Sequence, residues 1–168
     1  MLEKACGKIT RDIKQGLKVG HMAEEVTITQ GENFTDFSGN YDLLVVSPVD
    51  LVGSGKVGEK TRAKMLLLAD NFPENIFEHI SAQLVVSYGL SVKDSITLSS
   101  ILPQQAVLTL QRELLCLNGT SLEQQEIPLK IPFRADAGRI MAVNGALLLL
   151  GVLPGDLPLV YEREALAF

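Results

Sequence analysis

Leu2, Cys6, Ile9, Ile13 and Leu17 recur at the spacing of one helical face, with lysines and Asp12 between them. They predict an amphipathic helix at the start of the chain, its end bracketed by Gly16 and Gly20. A short strand is expected at residues 26–29, followed by a polar loop over 31–39 that carries Phe34 and Phe37. Three continuous apolar runs come next, at residues 43–46, 65–69 and 84–88. Such runs predict strands covered on both faces, as in a parallel sheet. Between the second and third runs, Asn71 is placed to cap a helix, with Pro73 in its first turn and Glu74 three residues after the cap. Ile76, Phe77 and Ile80 would form its apolar face, and strand, helix, strand at this spacing predicts a right-handed crossover.

The pattern changes after Gly89. Residues 96–101 alternate as in a half-buried strand, and a strand within 106–117 is expected to meet the next through Asn118-Gly119, a strong hairpin signal. Ile127, Leu129 and Ile131 point one way while Glu126, Pro128 and Lys130 point the other. Proline has no N–H to give a ladder, so this strand is expected at a sheet edge. Residues 137–150 are apolar nearly all round and predict a buried helix. The sequence thus reads as one α/β domain over 1–168: a three-layer, Rossmann-like parallel sheet with a C-terminal antiparallel hairpin extension.

Composition narrows the function. With 168 residues, 46% of them hydrophobic, and a mean hydropathy of +0.21, the chain is long and apolar enough for a sizeable core. Its net charge of −5 and lack of tryptophan argue against nucleic acid as a partner, since that needs clustered cations and stacking aromatics. Cys6 and Cys116 lie far apart and read as reduced core thiols of a cytoplasmic protein. His21 and His79 are the only histidines, so no zinc or other metal site is expected. The charged, amphipathic N-terminus does not resemble a signal peptide. The most apolar stretch, 140–153, is broken by Asn144, Gly145 and Gly151 and falls short of the ~20 residues of a membrane span.

The chemistry-bearing candidates lie in residues 41–71. In open α/β sheets, ligands sit at the carboxyl ends of strands, and the second strand ends on Asp70-Asn71. Gly53-Ser54-Gly55-Lys56 invites comparison with a phosphate loop, but that loop needs glycine where Asp50 stands and Ser or Thr where Val57 stands. Lys56 is therefore read first as an exposed lysine in a turn. Ser91, Ser95, Ser99 and Ser100 have no histidine placed to activate them, and no catalytic residue is assigned.

The stretches VVSPVDLVG, RAK, LLLADN, VVSYG, the Asn118-Gly119 hairpin and ALLLLGV occur in the order and spacing of corresponding segments in one enzyme family. Over roughly residues 25–152 the chain resembles the second half of the central ATP-binding domain of the Mur ligases, the bacterial UDP-muramyl peptide synthases. The resemblance implies a nucleotide-type fold with Lys56, Lys64, Asp70 and Asn71 as candidate cofactor contacts. Lys64 matches an Ala-Lys lysine that several Mur ligases carry as a carbamate to help bind magnesium. Departures from the family pattern bear on activity. No Gly-Lys-Thr loop occurs between Met1 and Gly39, Ser47-Pro48 replaces Thr-Asn, and Asp50-Leu51-Val52-Gly53 replaces Asp-His-Leu-Asp. The expectation is a truncated, non-catalytic binding or regulatory module needing no cofactor, with a homodimer or protein partner contacting the apolar tail (Leu153, Leu157, Leu159, Val160, Tyr161). The alternative is an ATP-dependent amide ligase or nucleotide-binding subunit, using ATP and Mg, completed by a partner chain that supplies the phosphate loop.

Overall fold

The computed structural model of the chain describes residues 5–22, 26–30, 39–47, 61–72, 75–131 and 136–157. Helix α1 (Ala5–Val19) follows the first apolar pattern. Ile9, Ile13 and Leu17 are buried, while Arg11, Lys14 and Lys18 stay in solvent. Residues 26–30 form no regular element, and Val26 and Ile28 pack against the core. They form no ladder among the described residues, so the strand expected at 26–29 is instead a segment packed on the core without regular structure. Alternation places side chains on two sides, but a strand also needs a neighbouring edge to bond.

Strands β1 (Asn40–Val46), β2 (Thr61–Ala69) and β3 (Ile80–Tyr88) are parallel, with Leu43, Met65 and Leu84 in one row. Strand β4 (Ile96–Leu102) meets β3 in parallel at the single register pair Tyr88↔Ile96. From there β5 (Gln105–Leu110) and β8 (Gln125–Lys130) continue the sheet antiparallel, in the order β1-β2-β3-β4-β5-β8. Because the β3–β4 pair joins the end of one strand to the start of the next, the antiparallel block is stepped along the strand direction. It rises past the carboxyl ends of the parallel block. The order also runs with the chain among the described strands. A doubly wound sheet has its ligand crevice where that order reverses, and no reversal occurs here.

Helix α3 (Ala137–Leu149) lies across β1 to β4 on one face, with α1 packed on it. Gly145 permits the approach: a Cβ there would stand 2.9 Å from Ile96 Cδ1 and 3.2 Å from Leu67 Cδ2. The N-terminus of α3 is capped by Asp136, whose Oδ1 accepts from Arg139 N at 2.9 Å. On the other face, Leu44, Val46, Leu66 and Leu68 form a second cluster with Ile76 and Ile80.

Three expectations need correction. Helix α2 is a single turn, Ile76–His79, whose N-cap position is Asn75, with no side-chain cap bond. Asn71 belongs to the turn after β2 and caps nothing, and Ile80 already starts β3. The register Thr61↔Ile80 draws Ile80 into the ladder, which leaves room for only one helical turn. The middle of β3 is not covered on both faces, since Leu84 and Val85 are 36% and 41% exposed. An apolar run cannot reveal that the next strand begins only opposite Tyr88. Finally, Asn118-Gly119 does turn a hairpin, but between the two-residue strands β6 (Leu114–Leu115) and β7 (Ser121–Leu122). Gly119 takes the positive φ of +82° that this turn needs. The long partner of β5 is β8, which lies at the sheet edge as Pro128 predicted.

Candidate functional site

The carboxyl ends of the parallel strands meet beside the rising antiparallel block. Asp70 N donates to Tyr88 O at 2.9 Å, which fixes the turn leaving β2 against the end of β3. Tyr88 reaches across the sheet, its hydroxyl donating to Val46 O at 3.2 Å, and Ser47 is buried at the end of β1.

The loop from β3 to β4 is clipped at every step. Gly89 N donates to Ile96 O at 3.1 Å, and Ser95 N reaches both Ser87 O at 3.0 Å and Ser87 Oγ at 3.1 Å. Within the loop, Ser91 N donates to Asp94 Oδ2 and Asp94 N donates back to Ser91 O, each at 3.1 Å. Arg112 ties the loop to the antiparallel block, with Nη2 2.7 Å from Lys93 O.

These bonds bring two carboxylates to one point. A Cβ built on Gly89 would stand 2.5 Å from Asp70 Oδ2 and 2.6 Å from Asp94 Oδ2. Asp94 is buried and Asp70 exposed, so the pair opens to solvent on the Asp70 side. Glycine at position 89 is what lets both oxygens close over the backbone. Among the described residues this carboxylate pair is acidic, suited to N–H donors or a cation and opposed to a bare phosphate.

Of the residues singled out in the sequence, Asp70 and Asn71 stand at this edge and both are exposed. Lys64 does not join them. It lies within β2 and pairs with Asp42, Nζ to Oδ1 at 2.6 Å, with side chains 63% and 69% exposed. At the rise of a strand, the six residues from Lys64 to Asp70 separate them by roughly 20 Å. Lys56 and Asp50 lie outside the described residues. His79 ends α2, immediately before β3 starts, and so stands at the opposite end of that strand from Gly89. His21 is exposed in a left-handed turn with φ of 58°. Cys116 is a buried free thiol, and burial pushes its pKa up, partly offset by a hydrogen bond with the Thr120 side chain.

Asp94 and Gly89 were not identified as site residues from the sequence. Gly89 was visible only as the last letter of a Tyr-Gly motif. For Asp94 the available signal was Ser91-Val92-Lys93-Asp94, a spacing at which the carboxylate can bond the serine N–H and close a turn.

Among the described residues, no group of three or more His, Cys, Asp or Glu is placed to hold a metal ion. No helix among them is long and apolar enough to cross a membrane. No family model, curated protein or solved structure matches this chain. The resemblance to Mur ligases therefore rests on the motif order alone.

Proposed function

We propose that this chain is a non-catalytic binding or regulatory module built on a Mur-ligase-like, Rossmann-like framework, with its contact site at the carboxyl edge of β1 to β3. The separation of Lys64 from Asp70 carries this reading. Two of the four residues that the family resemblance would set around one magnesium-nucleotide, Lys64 and Asp70, lie at different levels of the sheet, and Lys64 is already paired with Asp42. ATP binding and hydrolysis need phosphate, metal and base contacts converging on one point. The groups that converge over Gly89 are the carboxylates of Asp70 and Asp94, which favour a cation over a nucleotide's phosphates.

One observation favours the alternative of a subunit completed by another chain. Magnesium is usually held by one or two carboxylates together with a ligand's phosphates, and Asp70 with Asp94 is such a pair. In that reading the partner brings the phosphate loop.

Phosphate release from Mg-ATP by the purified chain tests the non-catalytic reading. No release above the buffer rate is expected. Turnover that Lys56→Ala removes would overturn the non-catalytic reading.

A further inference from the structure

Among the described residues, strand β3 has a neighbour along its length on one side only. Tyr88 O accepts from Asp70 N on the β2 side, whereas Ser87 O and Gly89 N bond Ser95 and Ile96 on the β4 side. Backbone direction alternates along a strand. The N–H and C=O groups of Ser81, Gln83 and Val85 therefore face away from β2, toward the side where β4 starts only at the level of Tyr88. No strand among the described residues pairs with that stretch.

The side chains agree. Gln83, Leu84 and Val85 are exposed in the middle of a strand whose partner β2 is fully buried over 65–69. The far edge of the sheet is built differently. Ile131 N donates to Gln104 O, so the odd-numbered residues of β8 face β5, and Pro128 turns its N–H-less backbone outward between exposed Glu126 and Lys130. A proline flanked by charges blunts an edge against strand addition. The β3 edge carries Ser81, Gln83 and Val85, without proline or charge.

We propose that the edge of β3 left unpaired among the described residues, residues 81–85, is a strand-addition site for an extended, uncharged segment of a partner protein. Backbone groups define the occupant, since an open ladder is satisfied by another strand. Leu84 and Val85, on opposite faces, call for apolar side chains on both sides of that segment. The row is short and closed at one end by the start of β4, which suits a single peptide segment. This site is distinct from the acidic carboxyl edge and does not rest on the function proposed for it.

A short acetylated and amidated peptide of alternating valine and threonine is a suitable probe, read by amide hydrogen exchange of the full chain. Exchange at the Val85 amide should slow about tenfold or more at saturating peptide. Gln83→Pro removes one outward donor without touching the β2 ladder, so it should melt like the parent and lose that protection. Val85→Lys, which puts a charge on the edge, should lose binding as well and serves if the proline variant fails to fold. Unchanged exchange at Val85, or protection that persists in both variants, would overturn the proposal. Protection that appears without peptide as protein concentration rises would assign the edge to a second copy and also overturn it.

Discussion

Asp12 and Arg139 form the most deeply placed ion pair of the described structure, Nε to Oδ2 at 2.6 Å, with Asp12 fully buried on α1 and Arg139 on the first turn of α3. Arg139→Ala leaves that carboxylate in the interior without its guanidinium, a change that typically costs about 3–5 kcal/mol. Urea melts should show the loss, and a change below about 1 kcal/mol would mean that solvent reaches Asp12 readily. Cys116 gives a pH signature. Its thiol pKa is raised by burial, so the protonated form is favoured more in the folded than in the unfolded chain. The resulting stability is fully present below the unfolded thiol pKa, near 8.5, and is lost as pH rises through the folded value. Between pH 7 and 10, the urea midpoint of Cys116→Ala should therefore fall less than that of the parent. Equal slopes would show that the thiol titrates normally. Neither residue's role is readable from the sequence, because Asp12 looks like any polar residue between apolar ones until α3 is placed against it.

At the scale of elements, legibility followed how local each signal was. Helices α1 and α3 were plain in the sequence, because apolar spacing over ten or more residues leaves few alternatives. The apolar run 65–69 marked only the second half of β2, which begins at Thr61, where the sequence read as a basic helical stretch. Replacing Leu67, fully buried in β2, with Asp should prevent soluble folding, since an unpaired buried charge costs several kcal/mol. Soluble expression of a normally melting variant would contradict the placement of β2. Gly145→Val tests the contact of α3 with the sheet. Its side chain would press on Ile96 and Leu67, and overpacking of this kind costs about 1–3 kcal/mol. Thermal melting should drop accordingly, and an unchanged Tm would mean that α3 shifts freely. The Asn71 cap failed because the chemistry of a cap can be met in a turn as well as in a helix. Parallel register, a nonlocal property, decided where β3 began. The site was half legible for the same reason. Asp70 stands out in the sequence because a strand end is a local feature, whereas Asp94 comes beside it only through the clipped loop after Gly89.

At the scale of the molecule, the stepped sheet is the feature that no local pattern announced. It stands a wall beside the carboxyl edge and, among the described strands, leaves one side of β3 unpaired. The apolar tail expected to bury itself in a partner lies, beyond Leu157, outside the described residues. Association remains our proposal, and light scattering with and without residues 154–168 tests it. Full-length chain should scatter as a dimer or bind a partner, and a monodisperse monomer at high micromolar concentration removes the homodimer. The central claim, a contact module rather than a nucleotide enzyme, is met most directly by thermal melting in saturating Mg-ATP. A ligand at a hundred times its Kd stabilises a folded protein by about 2.7 kcal/mol, an easily read shift. No shift is expected with Mg-ATP, and a saturable one abolished by Lys56→Ala would contradict the account.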